Sequence, residues 1–134
     1  MIKLLNYMEG DKRYLKLDDL SSYKIAFPLS NYVWNIIKDW EYLEKQVVGI
    51  QFIKAVDSIS ANIAEGFGRR FKKDKVKFYY YAFGSLSESM DWVEKSKIRD
   101  LINEEQYNHI NEELLKLPRE LNQLIKFTLE RMSK

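Results

Sequence analysis

The chain has 134 residues, within the size of one domain, and 46% of them are hydrophobic while 31% are charged, a balance that excludes a disordered polymer. It has no cysteine and a single histidine, which excludes disulfides, thiolate nucleophiles and thiolate metal sites. Only 5 glycines and 2 prolines punctuate it, too few for an all-β domain with its frequent turns, so long helices are expected.

Residues 1–18 have no sustained period and read as an N-terminal tail, with Tyr7, Tyr14 and Leu15 able to order part of it. Met1 to Gly10 has neither an apolar run nor a small-residue cleavage site, so no signal peptide is expected. No stretch reaches about 18 consecutive apolar residues, so no membrane-spanning helix is expected and the default location is cytoplasmic. Asp18 and Asp19 offer N-cap chemistry for a first helix, about 19–39, with Ile25, Leu29, Val33, Ile36, Ile37 and Trp40 on its apolar side. Pro28 falls inside it, predicting a kink there or a regular helix that begins near Phe27.

A second helix, about 45–67, carries the seam Phe52, Val56, Ile59 and Ile63, and Gly66 and Gly68 are read as the glycines that end it at positive φ. The third, about 74–97, has Val76, Tyr79, Phe83, Leu86, Met90 and Val93 at heptad spacing. Asn103 with Gln106 forms a capping-box pattern that opens the fourth, about 103–131. Its seam is Tyr107, Ile110, Leu114, Leu117, Leu121, Leu124 and Thr128, with a kink expected near Pro118. Residues 132–134 form a short tail. Four amphipathic helices with short joints predict an all-α, up-down-up-down antiparallel bundle.

Two further rows accompany the apolar seams. Gln51, Ala55, Ser58, Asn62 and Glu65 recur along the second helix; Tyr81, Ser85, Glu88, Trp92 and Lys95, with Gly84 alongside, recur along the third. These rows fit a solvated flank, a polar seam between the two helices or between subunits, or a ligand site; the seam is favoured. Small residues there let backbones approach, while Asn62, Glu65 and Glu88 need hydrogen-bond partners if buried. A di-iron or acid–base reading of Glu65 and Glu88 lacks the Glu-x-x-His motifs it requires, because Gln106 stands three positions before His109. His109 lies off the fourth seam and is read as exposed. Gly66-Phe67-Gly68 follows a helix and not a strand, so it is no dinucleotide loop. No cofactor, metal site or catalytic residue is expected.

The segment from Arg69 to Lys77 is the strongest functional signal. Its six cations (Arg69, Arg70, Lys72, Lys73, Lys75 and Lys77) face one anion, Asp74, giving net +5, whereas the rest of the chain sums to −3 against an overall +2. Cations at a helix start oppose the macrodipole, so phosphate binding accounts for them better than helix stability does, a solvated loop being the alternative. Phe67, Phe71, Phe78 and Tyr80 are interleaved with the charges and suit base stacking.

The run from Gly49 to Arg69, centred on Ala61-Asn62-Ile63-Ala64-Glu65-Gly66, resembles the signature of the 23S rRNA-intervening sequence family, also labelled S23. A second block, Phe78 to Ser89 with Gly84-Ser85-Leu86-Ser87-Glu88, resembles that family's next motif. The similarity runs from about Asp19 to Phe127. Departures are Lys54 in place of the usual arginine, Phe83 where a basic residue often precedes Gly-Ser, and Pro28. The resemblance implies an antiparallel four-helix bundle assembled as a homopentamer. It is related in fold to the accessory protein of diversity-generating retroelements, where a basic pentamer engages nucleic acid and a reverse transcriptase. It also implies that the Asn62-to-Gly66 and Gly84-to-Glu88 motifs are signatures of structure; with Gln51 and Ser58 of the polar row, Asn62, Glu65, Gly66, Gly84, Ser85 and Glu88 are read as structural or interface residues. The expected function is non-enzymatic, oligomeric nucleic-acid binding with a preference for RNA; an adaptor that docks a protein partner is the alternative.

Overall fold

A computed structural model describes residues 15–131, and they form four helices with no strand among them. The expectations for 1–14 and 132–134 lie outside the described residues. A single 3₁₀ turn, Leu17–Asp19, precedes α1 (Ser21–Ile37). The aspartates do not cap α1. Asp19 sits in the turn, where its carboxylate accepts the Lys16 backbone N–H at 2.8 Å, and α1 follows Leu20 with no side-chain cap. Leu17, expected in the tail, is fully buried in the core.

α1 runs through Pro28, which corrects the expected later start near Phe27. Pro28 is exposed, so water can serve the carbonyl that its missing N–H leaves unpaired. α2 (Tyr42–Gly68) begins earlier than expected and contains a π-helical stretch, Lys45–Gly49. There Gly49 meets α1 so closely that a Cβ on it would stand 2.8 Å from Ile37 Cγ2. By length and composition α2 is apolar enough to span a membrane, contrary to the expectation from consecutive apolar residues. Of its apolar residues, Phe52, Val56, Ile59 and Ile63 are buried against the other helices.

α3 (Lys72–Ile98) buries Tyr79, Ala82, Leu86, Ser89, Val93 and Ser96. The seam therefore keeps its heptad spacing but is rotated from the expected one: Phe83 and Met90 pack at its edge and small residues face the centre. Small side chains in the inner row let α3 approach its neighbours, and its packing against α2 is the most extensive in the molecule. α3 ends with Asp100 at φ 59°. The Leu101 N–H reaches the Ser96 carbonyl at 2.8 Å and the Asp100 N–H reaches that of Lys97 at 3.1 Å, a Schellman ending without glycine.

α4 (Glu104–Arg131) opens with the expected capping box: the Gln106 N–H donates to Asn103 Oδ1 at 2.7 Å, and the Asn103 N–H to Gln106 Oε1 at 2.9 Å. The helix continues through Pro118 with Leu114, Leu117 and Leu121 all buried. Near its end Ile125 takes the core position expected of Leu124. α2 packs on α1 and α3, and α4 packs on α3 and α1, so the four helices enclose one apolar core.

Candidate nucleic-acid interface

The basic segment occupies the joint between α2 and α3. Gly68 ends α2, Arg69 takes an extended conformation (φ −74°, ψ 151°), and Phe71 precedes the first turn of α3 with no side-chain cap. Gly66, expected to help end the helix at positive φ, does not take that conformation. Gly66 lies inside α2, where a Cβ would stand 2.6 Å from Tyr79 Cε1, so close approach is what requires glycine here. The Tyr79 side chain reaches Thr128 of α4, whose own hydroxyl donates to the Leu124 carbonyl at 2.8 Å. Burial holds the Tyr79 phenol protonated well above the ordinary tyrosine range. This contact pins α2, α3 and α4 together beneath the basic joint.

The six cations divide by partner. Lys75 Nζ donates to the Phe67 carbonyl at 2.6 Å and reaches that of Gly66 at 3.5 Å, so it caps the end of α2. Lys72 Nζ reaches the Leu129 carbonyl near the end of α4 at 3.4 Å. These contacts answer the electrostatic puzzle of cations at a helix start: they complement the negative carbonyl ends of two neighbouring helices. Arg69 pairs with Glu65 at 2.9 Å and lies 4.6 Å over the ring of Phe78. Arg70, Lys73 and Lys77 are exposed and make no ion pair or hydrogen bond with other described residues. The Arg70 guanidinium lies 5.8 Å from the Phe71 ring centre and the Lys77 ammonium 6.0 Å from that of Tyr81. Phe71, Tyr80 and Tyr81 are exposed, whereas Phe67 and Phe78 are half-buried.

Folding adds Phe127 and Arg131, which sequence reasoning did not include. The bond from Lys72 to Leu129 brings the last turn of α4 to the start of α3, and Arg131 lies 5.6 Å from the Phe127 ring centre. Their i, i+4 spacing and basic end were visible in the sequence; their nearness to the joint was not.

The polar rows take a simpler form than a buried network. Ser58 donates to the Lys54 carbonyl at 2.6 Å and Asn62 to that of Ser58 at 2.9 Å, both within α2. Ser58, Asn62 and Ser85 are half-buried, while Gln51, Glu65, Gly84 and Glu88 are exposed. Glu88 accepts the indole N–H of Trp92 at 3.3 Å. A Cβ added to Gly84 would meet nothing within 4 Å. His109 is exposed and rests its ring 4.3 Å from that of Tyr32. Among the described residues no group of three or more Asp, Glu or His is placed to hold a metal ion.

No curated protein matches the sequence. A crystal structure of a protein of unknown function from the S23 ribosomal protein family of Bacteroides thetaiotaomicron is similar in fold. Its TM-score is 0.69 at 22% identity, covering 78% of this chain and 98% of that one. The family model described as 23S rRNA-intervening sequence protein matches residues 18–123, which include both sequence blocks, the Gly66–Tyr79 contact and the basic joint. On that match, the chain belongs to the 23S rRNA-intervening sequence protein family.

Proposed function

We propose that this chain is a non-enzymatic, oligomeric, cytoplasmic protein that binds nucleic acid, with a preference for RNA, through the basic joint between α2 and α3. The observation that carries this reading is the exposure of Arg70, Lys73 and Lys77 on one short segment, without ionic partners among the described residues. Like-charged head groups this close repel one another, and a polyphosphate backbone relieves that repulsion while releasing its counterions. Arg69 joins the surface when its pair with Glu65 opens, since both side chains are about half exposed. The family's description makes RNA the first ligand to test.

Antiparallel up-down-up-down topology and a homopentamer belong to the same proposal. Joints of four, three and five residues favour that topology, because they leave no room for a long crossover. Open space at Gly84, beside half-buried Ser85, leaves a close approach for a second protomer. Assembly would multiply a modest patch by avidity. The test is Arg70, Lys73 and Lys77 changed together to Glu, with RNA affinity measured across salt. A loss of affinity with a shallower salt slope supports the proposal; unchanged affinity and slope overturn it.

A second reading is an adaptor that docks a protein partner, favoured by the exposed apolar side chains of Trp34, Leu43, Val47 and Ile50. It expects purified protein without nucleic acid and a partner complex that survives the triple charge reversal.

A further inference from the structure

We infer that the basic end of the bundle takes single-stranded nucleic acid, with bases stacked on Phe71, Tyr81 and Phe127 and phosphates held by Arg70, Lys77 and Arg131. The inference rests on the nucleic-acid reading above and adds to it the form of the ligand.

The first ground is the repeated pairing of a ring with a cation. Phe71, Tyr81 and Phe127 are 54%, 49% and 42% exposed, and each has its own cationic head group 5.6 to 6.0 Å from the ring centre. At that range the cation–π attraction is near its outer limit, so the head group can turn to a phosphate at small cost. A single strand offers the same alternation, with flat apolar bases between charged phosphates.

The second ground is what a duplex would leave unused. Paired bases keep their faces stacked on one another, so a duplex meets a basic surface through phosphates alone. Exposed rings then contribute nothing and leave apolar area in water. Lysines and arginines alone would serve that purpose better.

The third ground is placement. The bond between Lys72 Nζ and the Leu129 carbonyl joins the end of α4 to the start of α3, which puts the Phe127–Arg131 pair at the same end as Phe71 and Arg70. Tyr81 stands ten positions after Phe71. That is about 15 Å along the helix axis, a reach of a few extended nucleotides. One strand can therefore run from the end of α4, across the joint and along α3.

The experiment compares binding of the full chain to a labelled oligouridylate and to an RNA duplex of equal length, by fluorescence anisotropy. Phe71, Tyr81 and Phe127 are then changed together to Leu, which keeps the charges and leaves exposed positions apolar. The wild-type protein is expected to prefer the single strand, and the triple variant to lose at least about tenfold affinity for it, with an unchanged salt slope and little effect on the duplex. Equal wild-type affinity for both forms, or an unaffected variant, overturns the stacking inference while salt-dependent binding keeps the broader reading standing. Absence of binding to either RNA at low salt overturns both.

Discussion

Gly66 of α2 and Tyr79 of α3 approach each other so closely that the space where a Cβ would sit is filled by the edge of the ring, 2.6 Å from Cε1 and 2.9 Å from Cδ1. The Lys75 carbonyl closes the same space from another side at 3.0 Å. The ring cannot swing away, because Tyr79 is almost wholly buried. One small residue thus sets the distance between two helices directly beneath the basic joint.

Gly66→Ala is expected to destabilise the protein despite the better helix propensity of alanine. The propensity gain is at most about 1 kcal/mol, whereas forcing a methyl into a filled core commonly costs about 1–3 kcal/mol. A lower urea midpoint with an unchanged slope is the expected result. A raised midpoint would mean that the helices separate without resistance.

Gly84→Ala tests the opposite situation. Nothing within the protomer stands within 4 Å of the added methyl, so stability of the isolated chain should rise by about 0.5–1 kcal/mol through reduced backbone entropy in the unfolded state. If a second protomer packs on this row, the same change should weaken assembly. Native mass measured over a dilution series separates the effects, and unchanged assembly would remove Gly84 from the proposed interface.

Lys75 and Lys73 are two residues apart and should behave differently. Lys75→Ala removes the ammonium from the last carbonyls of α2 and should lower stability by about 0.3–1 kcal/mol. Lys73→Ala should leave the unfolding midpoint in place and reduce RNA affinity, with a smaller salt slope. Thermal melts and salt titrations of both variants check this, and identical behaviour would refute the division of the cations by partner.

Tyr79→Phe carries a pH signature. Burial makes the native phenol ionise well above the ordinary value of 10.0, so below that pH both folded and unfolded chains keep the proton and the loss is that of one buried hydroxyl's contacts, about 1 kcal/mol. Above about pH 10 the unfolded tyrosine ionises while the native one does not, which favours unfolding of the wild-type chain. The wild-type advantage should therefore shrink as pH rises through this window, as followed by urea unfolding at neutral and alkaline pH. A difference that stays constant would contradict the burial of this hydroxyl.

The number and order of the helices were legible in the sequence because burial of one face imposes a periodic apolar pattern, clearest in Phe52, Val56, Ile59 and Ile63. The Asn103–Gln106 box was legible because its partners lie within one turn. The rotation of the α3 seam was not, because Phe83 is more apolar than Ala82 and only the neighbouring helices decide which fits between them.

The candidate site divides in the same way. By itself the sequence determined that six cations and several aromatics lie within one short segment, since charge and type are local properties. Only the tertiary structure decided their roles. It set Lys75 against the end of α2 and Lys72 against the end of α4, left Arg70, Lys73 and Lys77 exposed, and brought in Phe127 and Arg131. The physical reason is that helix-end carbonyls draw cations from any helix within reach, and which helices lie within reach is a property of packing.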